Sequence, residues 1–118
     1  PYGFIERFSK PRTHLEIGKW EWPAQKWIDM SEENYGVTLV NESKYGFDFR
    51  NGILRMTLLR APKDPDKKAD MGTHVIGWAI VIHDGNWKNA WKEGYDFNYP
   101  LLTEEFEGCS YLLSQNKV

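Results

Sequence analysis

Crosslinking chemistry is almost missing from this chain: Cys109 is its single cysteine. No disulfide can close within it, which excludes a small secreted scaffold held together by bridges. An excess of basic charge is missing as well. Fifteen Lys and Arg stand against 17 Asp and Glu, a formal net charge of −2, so no positive stripe is available for a phosphate backbone and nucleic acid is a poor partner. Long apolar runs are absent. The longest uncharged one, residues 75–82, is far too short to span a bilayer, and no membrane segment is expected. No internal repeat, low-complexity stretch or signal peptide is present, and the chain opens on Pro1 rather than methionine. It reads as a piece of a longer protein.

What is present is an ordinary folded segment rich in rings. The 118 residues are 41% hydrophobic and 27% charged, the balance of one globular domain or part-domain rather than of a disordered tail. Aromatics make up 15%, with six Trp. An indole face packs on a sugar ring, and it fills a β-sandwich core equally well.

Periodicity is mainly that of strands. Residues 2–8 alternate loosely. Residues 14–22 alternate without a clean apolar face until Pro23, and residues 26–29 add a short run. Ser31, Glu32, Glu33 and Asn34 form a turn signal. The clearest pattern is three consecutive antiparallel strands over 35–40, 45–50 and 53–59. The last two flank Asn51-Gly52, a dipeptide suited to a tight hairpin, and the first is expected in the same sheet. Residues 75–82, apolar on both faces, predict a fourth, central strand covered on both sides. After the turn at Asp84, Gly85 and Asn86, the spacing of Trp87, Ala90, Trp91 and Gly94 predicts a short helix. Residues 106–113 read as a last strand. The fold class that follows is mostly β, an antiparallel β-sandwich with one short helix.

The segment between the apolar runs at 56–59 and 75–82 gathers the polar chemistry. Pro62, Pro65 and Gly72 break regular pairing. Around them lie Arg60, Lys63, Asp64, Asp66, Lys67, Lys68, Asp70 and His74. A polar loop held between buried strands is where a β-scaffold places recognition. The plainer reading is a solvated connection in which Asp66 and Asp70 cap backbone N–H groups and His74 is hydrogen-bonded at a strand start. A metal site from Asp70, His74 and His83 is disfavoured, because His83 lies a full strand away. Asp64 and Asp66, flanked by lysines, read as solvated rather than as a catalytic pair. Cys109 has no histidine placed to activate it. Asn41-Glu42-Ser43 is a glycosylation triplet, relevant only in a secretory compartment.

Order and spacing of short motifs add a resemblance. Pro1-Tyr2-Gly3 and Glu6-Arg7 are followed by Trp22-Pro23, Trp27, Asp29 and Ser31, then by Lys44-Tyr45-Gly46. Next come Leu58-Leu59-Arg60, Pro65-Asp66, Asp70, Gly72, His74 and Asn98-Tyr99-Pro100-Leu101. In this series the chain resembles the C-terminal β-domain of glycoside hydrolase family 38 α-mannosidases, in the cytosolic, vacuolar-like and bacterial branch. One departure is Ile82-His83, where that family usually has a proline before its second histidine.

The resemblance implies a galactose-mutarotase-like supersandwich, of which residues 1–118 form one β-domain or part of it. It implies a parent enzyme that hydrolyses α-mannosides with retention, through an aspartate nucleophile and a second carboxyl as acid/base. The nucleophile and a zinc ion belong to a separate catalytic domain, so no catalytic residue, metal ligand or cofactor is expected in this chain, which alone should be inactive. Its partners would be that catalytic domain and the α-mannoside substrate. Its location would be cytoplasmic, or vacuolar-like in a eukaryote. Arg60 is the leading sugar or domain contact, since a guanidinium holds two oxygens at once. Asp66, Asp70 and His74 follow. Two other readings stand beside this one: an independent carbohydrate-binding module using Trp20, Trp22 and Trp27 as a platform, and a homo-oligomerisation domain. A part-domain should also leave apolar side chains exposed where missing chain would cover them.

Overall fold

A computed structural model describes residues 3–19 and 21–103. The chain is mostly β, of the antiparallel β-sandwich class, and its described residues form two three-stranded sheets and short helices. Residues 3–10 form no strand, against the expectation for 2–8. Residues 14–22, read as extended, begin instead with a helix, α1 (His14–Gly18). Its cause is local. The Thr13 hydroxyl accepts from the Glu16 N–H while the Glu16 carboxylate accepts from the Thr13 N–H, a reciprocal cap that outweighs the loose alternation.

The smaller sheet has the order β1 (Trp22–Pro23), β4 (Gly46–Arg50), β5 (Ile53–Met56). β4 and β5 are the expected hairpin. Arg50 faces Ile53 across the turn, with φ of 52° at Asn51 and 78° at Gly52. Both central residues are thus left-handed, a conformation Asn tolerates and Gly adopts freely. Opposite charges meet across this pair, where Arg55 donates to both oxygens of Asp48 at 2.9 and 3.1 Å.

The larger sheet has the order β2 (Trp27–Ser31), β3 (Tyr35–Asn41), β6 (Trp78–Asp84). Here two expectations are corrected. β3 does not share a sheet with the hairpin. It lies between β2, its neighbour through a tight turn, and β6, which arrives about forty residues later in the chain. And β6 is an edge strand, not a central one. Its side chains alternate between half-buried and exposed, so only one of its faces is covered. The apolar run on both faces is a poor guide because Trp78, Ile80 and Ile82 stay exposed on the side away from α2.

On the other side, a 3₁₀ turn (Trp87–Asn89) and α2 (Trp91–Asn98) close over the sheet. Asn86 caps the turn by accepting from the Lys88 N–H at 3.0 Å, as the sequence led one to expect. Gly94 faces Trp27 so closely that a Cβ there would strike the indole. The Trp27 ring also meets Phe4 at 5.5 Å and Trp87 at 6.1 Å. Among the described residues the fully buried apolar side chains are few: Val40, Phe47 and Ala90. Residues 106–113, expected as a strand, lie outside the described residues.

Candidate functional site

Between β5 and β6 the chain runs through residues 57–77 without regular structure, yet it is tightly tied to itself. Asp70 adopts a left-handed φ of 58°, and its carboxylate accepts from the Ala61 N–H at 2.9 Å. Asp66 accepts from the Lys68 N–H at 2.8 Å, the usual Asx turn. His74 Nε2 lies 2.9 Å from the Asp70 carbonyl oxygen, to which it donates in the Nε2-protonated tautomer. Three of the four expected contact residues therefore hold the loop in shape, and Asp66 and Asp70 act through backbone N–H groups. Arg60 is different. It is exposed, and no hydrogen bond or ion pair joins it to any described residue. The loop brings Arg60, Asp70 and His74 to one end, next to Ala61, and leaves the guanidinium free to meet a hydroxyl or carboxylate from outside.

His83, weighed only as a remote metal ligand, has a different place. Its Nε2 lies 2.8 Å from Asp29 Oδ1, and the Thr38 hydroxyl donates to that same oxygen. The His83 and Asp29 side chains are only 7% and 5% exposed. Strand register explains the meeting: Asp29 faces Thr38 across β2 and β3, while His83 stands opposite Gly36, whose missing Cβ leaves room for the imidazole. His83 Nδ1 is 3.3 Å from the Asp84 carbonyl oxygen, so both ring nitrogens face acceptors. No sequence spacing signals this pair, because its members are 54 residues apart. Among the described residues, no group of three or more His, Cys, Asp or Glu side chains lies where it could hold a metal ion.

The aromatic platform divides between elements. Trp22 sits on the smaller sheet with Arg7 5.5 Å above its ring, and Trp27 is packed under Phe4 and Trp87. Trp20 lies outside the described residues. Asn41 of the glycosylation triplet is fully buried, and its Oδ1 accepts from the Lys44 N–H at 2.7 Å, which leaves it closed to an attached glycan in the folded chain. No helix among the described residues is long and apolar enough to cross a membrane.

Comparison with known proteins agrees with the motifs. The model of the glycosyl hydrolases family 38 C-terminal domain matches residues 1–68. Alpha-mannosidase 2C1 of Mus musculus is 39% identical over 103 residues, covering 86% of this chain and 10% of that protein. Alpha-mannosidase G of Dictyostelium discoideum is 38% identical over 106 residues, covering 88% of this chain and 10% of the relative. An alpha-mannosidase of Saccharomyces cerevisiae is 39% identical over 99 residues, 83% of this chain and 9% of the relative. The chain thus spans about a tenth of the length of the curated relatives it matches. With the family model covering more than half of it, the chain belongs to the glycosyl hydrolase family 38 C-terminal domain family.

Proposed function

We propose that the chain is the non-catalytic β-domain of a retaining α-mannosidase, supporting the catalytic domain and offering the Arg60 loop to its substrate cleft. The observation that carries the first half is the open face of the larger sheet. Trp78, Ile80 and Ile82 are 54%, 58% and 78% exposed, and a row of apolar side chains left open on a sheet marks a surface that another one covers. The second half rests on Arg60, an unpartnered guanidinium on a loop whose shape Asp66, Asp70 and His74 maintain. The proposed location is cytoplasmic, or vacuole-like in a eukaryote, in keeping with the single cysteine.

The test has two arms. The chain alone releases no aglycone from an aryl α-mannoside, with or without added zinc; turnover that disappears on mutating a residue of this chain would sink the reading. In the whole enzyme, Arg60→Ala lowers kcat/KM by roughly tenfold or more, the usual cost of one lost charged contact to substrate. Unchanged kinetics would remove Arg60 from the cleft while leaving the supporting role in place.

A further inference from the structure

At the end of the larger sheet where β2 begins and β3 stops, three connections converge. Gln25 and Lys26 come from the turn between β1 and β2, Glu42 and Tyr45 from the link between β3 and β4, and Asn98 and Tyr99 from the end of α2. Together they line an open cleft of about 220 Å³. From this convergence we infer a binding site for a neutral polyhydroxy ligand of monosaccharide size, a hexopyranose, separate from the Arg60 loop.

The cleft is held by backbone and side-chain bonds that do not depend on a ligand. The Asn41 N–H donates to the Lys26 carbonyl at 2.8 Å, and the Ala24 N–H to the Tyr45 carbonyl at 3.1 Å. The Asn98 side-chain amide donates to the Asn41 and Gly94 carbonyls at 3.1 and 2.7 Å, so α2 is pinned to β3 at this point. Lys26 has a φ of 69°. A left-handed lysine is strained, and such strain tends to persist where it aims a side chain at a task.

Its chemistry narrows the ligand. One ammonium and one carboxylate, Lys26 and Glu42, stand among two amides, so the lining favours neither an anion nor a cation. The carboxylate accepts from hydroxyls, the ammonium donates beyond its bond to Tyr99, the Gln25 amide does both, and Asn98, whose two amide hydrogens are already donated, offers only its oxygen. Tyr45 and Tyr99 are 55% and 62% exposed. Tyr99 is itself stacked on Tyr95 at 6.2 Å, so Tyr45 is the ring that can meet the apolar C–H face of a pyranose while the polar groups meet its rim. The volume falls below that of pockets for drug-sized ligands and suits a single ring.

Two details place the charges. Lys26 Nζ lies 5.0 Å from the Tyr99 ring centroid and 5.2 Å from that of Tyr95. Its side-chain hydrogen bond with Tyr99 raises its pKa above the ordinary lysine value. Glu42 lies against Gly77, where an added Cβ would come within 2.7 Å of the carboxylate.

The site rests on the glycosidase reading only for the choice of probe. The full chain is titrated with methyl α-D-mannopyranoside and methyl β-D-galactopyranoside, read by saturation transfer from protein to sugar. The expected result is millimolar binding of at least one, weakened roughly tenfold by Tyr99→Ala and by Glu42→Gln. Gly77→Ala, which touches the cleft only by displacing Glu42, weakens it in the same direction. If the piece alone does not hold its fold, the same titration on the whole enzyme reads slowed hydrogen exchange over residues 24–27, 42–45 and 95–99. The inference is overturned by no saturation transfer from a folded protein, by binding indifferent to Tyr99→Ala and Glu42→Gln, or by inorganic phosphate or tetramethylammonium competing for the cleft. Sugar binding here survives a failure of the mannosidase reading, and mannosidase activity survives a failure of this one.

Discussion

The two faces of the larger sheet invert the usual arrangement. The covered face, under α2 and the 3₁₀ turn, carries Asp29, Thr38 and His83 beside Val40 and Trp27. The uncovered face carries Met30, Tyr35, Trp78, Ile80 and Ile82, all exposed. An isolated domain places polar groups outward and apolar ones inward. Here a hydrogen-bonded polar cluster is inside and an aliphatic row is outside. The difference teaches that the covered face holds this segment in shape, whereas the open one is the surface that the proposed contact with a catalytic domain would cover.

Substitutions on the covered face should therefore act on the chain itself. Removing one member of a buried pair leaves the other uncompensated, so Asp29→Ala lowers the unfolding free energy by about 3 kcal/mol. Urea denaturation measures it, and a loss under about 1 kcal/mol would mean that the cluster is better solvated than its burial implies. Gly94→Ala comes next. The new methyl must push Trp27 or lift α2, costing about 2 kcal/mol, with altered indole fluorescence as its signature. An unchanged midpoint would show that α2 rides loosely on the sheet.

The smallest effect belongs to the open face. Ile82→Asn changes the stability of the chain alone by less than about 0.5 kcal/mol, because its side chain already meets water. In the whole enzyme the same substitution should lower Tm clearly. Equal effects in both settings would erase the contrast between the faces.

How much of this was legible in the sequence follows from how local each cause is. The hairpin at Asn51-Gly52 was readable because two adjacent residues carry its turn chemistry. The helix after Asn86 was readable from one side chain and a spacing. α1 is equally local, set by Thr13 and Glu16, but the loose alternation around it has the period of a strand. The partner of β3 was not readable. Turn chemistry links it to β2, but its pairing with β6 is a choice made across about forty residues, which no local pattern records. The Asp29–His83 contact is hidden for the same reason. In the loop, capping by Asp66 and Asp70 was foreseen from residue type, while the freedom of Arg60 emerged only from the absence of neighbours among the described residues.

The edge position of β6 carries a cost of its own. Along Trp78–Asp84 one row of backbone N–H and C=O groups has no strand beside it among the described residues, and the segment Trp78-Ala79-Ile80-Val81-Ile82 is uncharged, free of proline and rich in β-branched residues. That is the composition from which cross-β stacking grows. The strand proposed to dock against a catalytic domain also makes the chain adhesive toward copies of itself whenever that docking is delayed. Handling the piece by itself then becomes a race between docking and fibril formation, one that a single lysine at Ile80 would slow.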